Sequence, residues 1–159
     1  MTVFNEIGGE FPGSFHDDSI YAIRLISPEP DQDDWRSELI LDIDHILEWI
    51  RGDDGRFRFR LVQADLCFVD VSDLKISFGY RDTSITPLPI DRIVRSQEAV
   101  VTRQNGFQDF QWEIVLNDQA NGALNFRSTG FRLEETGDRI DSDQQQIPQH
   151  LRCRSSGRS

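Results

Sequence analysis

The sequence predicts a mainly β fold: an antiparallel meander, folded as a sandwich or a strongly bent sheet, with few short helices. Three observations support this prediction. Apolar and polar residues alternate in several segments, turn signals separate those segments at short intervals, and the 159 residues include eleven Phe and three Trp. Aromatic side chains suit the half-buried surface of a pleated strand, whose two faces the alternation sorts. A β-rich α+β fold is the alternative, because one segment also fits a helix.

The chain length is typical of a single domain, and we expect a β-rich domain over residues 1–134. Residues 135–159 are rich in Asp, Gln, Ser and Arg. Such a segment buries too little apolar surface to offset the entropy lost on ordering. We therefore predict a flexible C-terminal tail, in which one turn around Ile147 and Leu151 could dock.

The first predicted strand covers residues 19–26. Its residues are largely β-branched or aromatic, and Tyr21, Ile23 and Leu25 fall on one face. Pro28 ends the strand, because proline lacks the N–H that would continue the hydrogen-bonded ladder.

Residues 37–50 fit either a strand or a helix. As a helix they carry an apolar stripe that Ser37 could cap and Gly52 could end. As a strand they alternate most cleanly over residues 39–45. We favour the strand there and leave open a last helical turn before Gly52.

The middle of the chain contains the clearest strand, residues 57–61, in which Phe and Leu alternate with Arg. An apolar run follows at residues 66–71, and residues 74–78 alternate again. Ser72 and Asp73 lie between these two segments and predict a tight turn.

Pro87 and Pro89 argue against a central strand at their position, because a central strand needs both of its N–H rows. Residues 90–94 are therefore expected to form a short edge strand or one helical turn. The sequence alone leaves both forms open.

A hairpin is predicted between residues 110–116, which alternate regularly, and the segment at residues 124–126. Asn121 and Gly122 lie in the connection and would supply the positive φ that a tight hairpin turn requires. Phe131 would extend the sheet beyond it.

The formal net charge is −11, and it is unevenly distributed along the chain. Residues 1–143 hold 28 acidic against 14 basic residues, whereas residues 144–159 hold three Arg and no acid. A body this acidic repels nucleic acid and anionic lipid, so we expect neither as a partner. It favours a basic protein partner. An exposed sheet edge would also permit a dimer.

The sequence predicts a cytoplasmic protein. It contains no long apolar stretch of the kind that crosses a membrane, and its start has no basic and apolar leader. Cys67 lies in an apolar run and Cys153 in a polar one, so a disulfide is not expected.

Four polar residues form the candidate metal site. His16, Asp18, Asp42 and Asp44 offer imidazole and carboxylate ligands that suit a divalent ion if the strands bring them together. Their spacing matches no defined metal motif. The favoured interpretation is that Asp17 or Asp18 caps a turn and that Asp42 and Asp44 lie on a solvated face.

His45 and Trp49 complete the candidate binding residues, although both also fit a structural role. A lone histidine on an apolar face is expected to be buried and to donate to a backbone carbonyl. Trp49 could line a binding groove, but we expect it to pack in the core. No nucleophile constellation or cofactor loop is recognisable, so we predict no cofactor and favour a protein that is not an enzyme.

Parts of the sequence resemble a family of small uncharacterised bacterial cytoplasmic proteins. The resemblance rests on FHDD at residues 15–18, LDIDHILEW at 41–49, LCF at 66–68 and the stretch 112–131. Since that family has no established activity, it implies no catalytic residues. The histidine and aspartates before the first strand are also similar to the start of some immunity proteins of bacterial toxin systems.

The sequence thus predicts a non-enzymatic binding protein with an acidic surface, and an immunity-type interaction domain as its sharper form. The alternative is a metal- or small-molecule-binding enzyme that uses His16, Asp18, Asp42 and Asp44. A third hypothesis is an assembly role through an exposed sheet edge.

Overall fold

The computed structural model describes residues 2–3, 15–33, 37–79, 87–104, 106–117 and 122–153. Within these ranges the chain forms eleven strands and two 3₁₀ turns but no α-helix, which confirms the predicted mainly β fold. No helix there is long and apolar enough to cross a bilayer. The strands are β1 (Thr2–Val3), β2 (Ser19–Ile26), β3 (Glu38–Arg51), β4 (Phe57–Val69), β5 (Ser72–Ser77), β6 (Leu88–Arg95), β7 (Val101–Thr102), β8 (Gln108–Leu116), β9 (Ala123–Ser128), β10 (Gly130–Glu135) and β11 (Ile140–Ser142), and the 3₁₀ turns are Pro30–Gln32 and Gln149–Leu151.

The strands form one antiparallel sheet in the order β10-β4-β3-β2-β6-β8-β9-β5. Three short strands lie beside this path, with β1 on β6, β7 on β8 and β11 on β4. The β4–β10 and β5–β9 ladders meet at one corner, where Gly130 faces Val69 and Arg127 faces Ser72. The chain therefore passes from the β4–β10 pair to the β5–β9 pair at this one corner of the sheet.

The sheet folds back on itself around its main core. Strands β4 and β8 lie four steps apart along the path, a span of about 19 Å in a flat sheet. Yet the rings of Phe68 on β4 and Trp112 on β8 are only 5.1 Å apart. The predicted strong bend is thus confirmed. The buried core residues include Phe15, Ile20, Leu39, Leu41, Ile43, Ala64, Leu66, Phe68, Leu88, Ile90, Ile93, Trp112, Ile114, Leu116, Leu124 and Phe126.

The ambiguous segment is a strand along its whole length, so the helical alternative is wrong. β3 pairs with β4 continuously except for a bulge between Ile46 and Glu48. A bulge adds one residue to a strand and thereby changes which face the later side chains occupy. Because Trp49 pairs with Phe59 and Ile46 pairs with Leu61, both β3 residues share one face. Sequence alternation alone had placed Trp49 with the core residues.

Strand β6 is central, which corrects the expectation drawn from its prolines. It lies between β2 and β8, with Pro89 at its second position opposite Ser19. Two neighbouring bonds connect the strand here: Ile90 N–H donates to the Asp18 carbonyl at 2.8 Å, and the Pro89 carbonyl accepts from Asn117 N–H at 3.0 Å. The proline is tolerated because the residues around it carry the pairing.

The tight turn predicted at Ser72 and Asp73 is also wrong. Strand β5 already begins at Ser72, and it pairs with β9 rather than turning back onto β4. The left-handed residue before it is Asp70, with φ of 53°. The corner therefore redirects the chain into a new strand pair without reversing it. Turn residues such as Ser and Asp suit both a corner and a hairpin, so the local sequence does not separate the two.

The predicted hairpin is present, with Ile114 on β8 opposite Leu124 on β9. Asn121 lies outside the described residues. Gly122 has no positive φ; instead, a Cβ at that position would lie 2.2 Å from the Ser77 carbonyl oxygen. A close approach of two backbones, rather than turn geometry, explains this glycine.

The sheet around β4 has two faces. We call the side that carries Leu66 and Phe68 the inner face and the side that carries Leu61 and Gln63 the outer face. The inner face lies on the main core. The outer face has its own small cluster, formed by Ile46, Phe59, Leu61 and Ile147 with Ile140 packed against it.

Residues 143–153, the C-terminal segment, cover the outer face after β11 has extended the edge of the sheet beside β4. In β11, Ile140 pairs with Leu61 and Ser142 with Phe59, and Ile147 is 7% exposed. Where the sequence predicts a tail from residue 135, the structure shows a docked segment as far as 153. The mobility of residues 135–159 stays a prediction.

Candidate functional site

A buried acid and a buried histidine join the start of β2 to β3. Asp18 Oδ2 and His45 Nδ1 are 2.5 Å apart, with side chains 0% and 2% exposed. Asp18 Oδ1 accepts the backbone N–H of Ile46 at 2.9 Å. The ring of Phe15 packs 5.5 Å from the imidazole. His45 is buried as expected, but its partner is a carboxylate rather than a backbone carbonyl.

Burial raises the pKa of Asp18 from 3.8 to about 6. The hydrogen bond and charge of His45 and the Ile46 N–H act in the opposite direction, whereas the nearby Asp44 raises the pKa further. Neither Asp18 nor His45 lines the two cavities described below. Their geometry therefore indicates a structural tie that fixes β2 against the bulged part of β3.

The outer face holds a guanidinium between two acids. Arg152 Nη1 donates to Asp44 Oδ1 at 2.5 Å, and Arg152 Nη2 lies 3.4 Å from Asp42 Oδ1. The guanidinium carbon lies 3.7 Å from the centre of the Tyr21 ring. Only 5% of the arginine side chain is exposed. Two carboxylates and one aromatic face match the planar, delocalised charge of arginine.

Main-chain contacts fix the segment on either side of this arginine. The Gln63 amide clamps Cys153, accepting its backbone N–H at 2.8 Å and donating to its carbonyl at 3.1 Å. The same amide nitrogen lies 3.2 Å from Asp42. The backbone N–H of Ile147 donates to Asp44 at 3.1 Å. The outer face thus contacts the backbone of the segment as well as one charged side chain.

Burial is the main cause that raises the pKa values of Asp42 and Asp44 above the ordinary 3.8. Arg152 lowers both pKa values without fully compensating for the lost hydration. These acids therefore depend on their cationic partner. Without it, two desolvated carboxylates would face each other beneath the segment.

Open space remains beside the docked segment. One cavity of about 580 Å³ is lined by Tyr21, Asp42, Gln149 and Arg152, among others. A second, of about 440 Å³, shares Tyr21, Gln149 and Arg152 and is bounded by Asp44. The segment thus fills the groove only in part. We call this groove, bounded by Tyr21, Asp42, Asp44 and Gln63, the arginine groove.

His16 and Asp17 lie apart from the arginine groove. The His16 side chain is 52% exposed, and its ring contacts Asp91, with Nδ1 2.8 Å from that residue's carbonyl oxygen. Asp17 adopts a left-handed turn with φ of 66°, and its N–H donates to the Ile90 carbonyl. The expectation of a turn before β2 agrees with this geometry.

The four candidate metal ligands contact three different partners. His16 lies near Asp91, Asp18 binds His45, and the other two acids hold Arg152. Among the described residues, no group of three or more His, Cys, Asp or Glu side chains is placed to hold a metal ion. Asp44 is 1% exposed, so the solvated face expected for it is wrong.

Trp49 lies on the outer face and not in the core. It is 47% exposed, and its ring makes edge contacts with Phe57 at 5.9 Å and Phe59 at 5.0 Å. The bulge in β3 explains why the expected core packing is wrong. Trp49 is an exposed aromatic at the end of the β3–β4 hairpin and does not line either cavity.

Sequence reasoning missed three residues of the arginine groove and its ligand: Tyr21, Gln63 and Arg152. Gln63 carried a detectable signal, since it and Asp65 interrupt the apolar residues between Leu61 and Val69 of β4. Arg152 had a weaker one, as a cation in the acid-free end of an acidic chain. Nothing local linked either residue to Asp42 and Asp44.

The fold and site together define an antiparallel β-sheet protein that binds its own basic segment on an acidic sheet face. In comparisons with known proteins, no family model, curated protein or solved structure matches the chain. The resemblances drawn from short sequence stretches therefore stay predictions.

Proposed function

We propose that this protein is a non-enzymatic binding protein that captures a basic protein partner, and that it acts in the manner of an immunity protein. The observation that carries the proposal is the arginine groove. There, carboxylates of the acidic sheet already hold a basic segment of the same chain. A protein that binds such a segment within itself has the surface chemistry to bind one from another protein.

The surface charge supports capture of a basic partner. Among the described residues, Glu29, Asp31, Asp138 and Asp143 are exposed and form no ion pair. Unpaired acids keep the surrounding potential negative, which accelerates encounter with a cationic protein. The encounter rate should consequently fall as salt screens that potential.

The state of the buried acids supports binding rather than catalysis. Asp18, with the pKa raised to about 6, is sealed against His45 and Ile46. Asp42 and Asp44 are occupied by a cation and by peptide N–H or amide groups. A catalytic acid or base must exchange a proton with a substrate, whereas the carboxylates of these residues are hydrogen-bonded to groups of the protein.

Affinity capture with the immobilised full chain tests the proposal. In extract of the source organism at roughly 0.05 M salt, we expect a basic protein to be retained and then released near roughly 0.5 M. The purified partner should associate about tenfold more slowly with a matched variant carrying Glu29→Gln, Asp31→Asn, Asp138→Asn and Asp143→Asn. That variant leaves the arginine groove intact.

Two results would overturn the proposal. One is the absence of any basic protein enriched by the wild-type chain over the matched variant. The other is an association rate that salt does not change. If the protein acts as an immunity protein, its co-expression with the captured partner should abolish the toxicity of that partner. Undiminished toxicity would contradict the immunity role.

A further inference from the structure

We infer that the arginine groove is a binding site for an arginine-bearing segment of the partner protein, and that residues 147–153 of this chain occupy it as an internal ligand. The inference rests on the proposed function, because it states where the basic partner binds and which chemistry is recognised. It adds that the partner must displace a segment of the protein itself.

The groove is specific for a guanidinium. Asp42 and Asp44 stand two residues apart on one face of β3, a separation of roughly 7 Å along the strand. They contact different nitrogens of Arg152 while Tyr21 covers its flat side. A lysine offers one compact charge and could not meet both acids and the ring in this way.

Stability alone does not explain these charges. Apolar residues that fill the same volume commonly stabilise a fold as well as a buried ion pair does, or better. The outer face already has an apolar way of holding the segment, through Ile147 against Phe59 and Leu61. Two desolvated acids around one arginine are better explained as recognition of that side chain.

The bound segment has the form of a peptide ligand. Pro148, with φ and ψ of −55° and 139°, and Arg152, with −72° and 132°, are extended and flank the 3₁₀ turn Gln149–Leu151. Residues 147–153 pair with none of the described strands. Gln63 instead clamps the backbone of Cys153 without regard to its side chain. A segment of another protein that makes the same turn could take these contacts, provided that it carries the arginine.

The internal ligand is held loosely enough to be displaced. Ile147 is its only buried apolar residue, while Leu151 is 50% exposed. Cavities of about 580 and 440 Å³ flank Arg152 and leave room for a larger ligand. Because a tethered segment acts at an effective concentration in the millimolar range, a competing peptide should bind the intact protein weakly.

The first test uses a fluorescent peptide of residues 144–159 and the full-length chain carrying Arg152→Ala. We expect the peptide to bind this variant about tenfold or more tightly than it binds the wild-type chain, because its internal competitor lacks the arginine. A control peptide with Arg152→Ala should not bind, and one with Arg152→Lys should bind about tenfold more weakly.

A second variant keeps Arg152 and its partners Asp42, Asp44 and Tyr21. A Cβ added at Gly137 would lie 3.6 Å from Cys153 Sγ, so Gly137→Cys is placed to form a disulfide with Cys153. The added Cβ would lie 3.3 Å from Gln63 Cβ, so that side chain must shift by a few tenths of an ångström. Oxidised glutathione can accept the two electrons as the two thiols join. The oxidised chain locks the segment in the groove, and the same chain after reduction is its matched control.

The peptide should bind the reduced Gly137→Cys chain at least tenfold more tightly than the oxidised one. Equal binding to both forms would overturn the inference, as would failure to bind both the Arg152→Ala chain and the reduced chain. A basic partner that binds the locked chain as tightly as the wild type would also overturn it, while the proposed function would stand. Failure to capture any basic partner would instead overturn the proposed function.

Discussion

The two faces of β4 are buried by different means. On the inner face, Leu66 and Phe68 are covered by strands that carry the same apolar alternation, and they lie in a large cluster of apolar side chains. On the outer face, Leu61 and Gln63 are covered by the C-terminal segment, through one small apolar cluster and a set of hydrogen bonds. One strand thus belongs to a permanent core on one side and to a binding surface on the other.

The difference indicates how stability is distributed in the molecule. Removing the inner cover would require separating the sheet, whereas the outer cover can detach as a unit with few buried apolar contacts. Segments of that kind open at a lower free energy than the core does. The following substitutions test this division, beginning with the largest expected effect.

Phe68→Ala should destabilise the protein most. Its ring contacts Trp112 and Phe126 at centroid distances of 5.1 and 4.8 Å in the centre of the main core. Loss of a buried Phe side chain costs about 3–5 kcal/mol of unfolding free energy. Urea unfolding followed by tryptophan fluorescence would measure it. Phe57→Ala, at an exposed position of the same strand, is the control and should cost about 1 kcal/mol or less.

Asp18→Ala should cost about 3 kcal/mol of unfolding free energy, because it leaves His45 and the Ile46 N–H without their buried partner. Asp18→Asn retains an acceptor for Ile46 and should cost clearly less. Urea unfolding of both variants gives the comparison. Equal costs would show that loss of the carboxylate contact with His45, and not loss of the acceptor for the Ile46 N–H, determines the effect.

Ile147→Ala should cost about 2 kcal/mol and act on the outer cover alone. We expect faster hydrogen exchange at the backbone N–H groups of Ile147 and Cys153, with exchange at the Phe68 N–H unchanged. Hydrogen exchange resolved by residue would measure this. A uniform increase across the sheet would mean that the two faces of β4 unfold together.

The last expected effect is the pH dependence contributed by Asp18. Its pKa is about 6 in the fold against 3.8 ordinarily, so the folded state retains a proton that the unfolded state releases between those values. The stability contributed by Asp18 is therefore complete below about pH 4 and is lost as the pH rises through about 6. As the pH rises through this window, the urea midpoint of the wild type should fall relative to the urea midpoint of Asp18→Asn. If the urea midpoints of the two proteins changed with pH in parallel, the raised pKa of Asp18 would be contradicted.

Local sequence patterns predicted much of the sheet. Alternation predicted strands at residues 19–26, 57–61 and 110–116, which lie in β2, β4 and β8, because residues that face a core on one side must repeat with period two. The shared face predicted for Tyr21 and Ile23 is wrong, since the pairing of β2 shifts between Ile20 and Ala22 and Tyr21 lies against Arg152. The same reasoning failed at Trp49, where a bulge inserts one residue, and at Pro89, whose missing donor is bypassed by its neighbours. Both failures depend on pairing partners that a single segment does not reveal.

The sequence by itself determined the β class, the segments that form most of the core and the acidity of the body. Only the tertiary structure decided that Asp42 and Asp44 meet Arg152, which lies 110 and 108 residues further along the chain. Periodicity reports how a residue is oriented within its own strand, whereas a site assembled across strands depends on register, bulges and the path of the returning chain. For that reason the acids could be named from the sequence, but the cation between them could not.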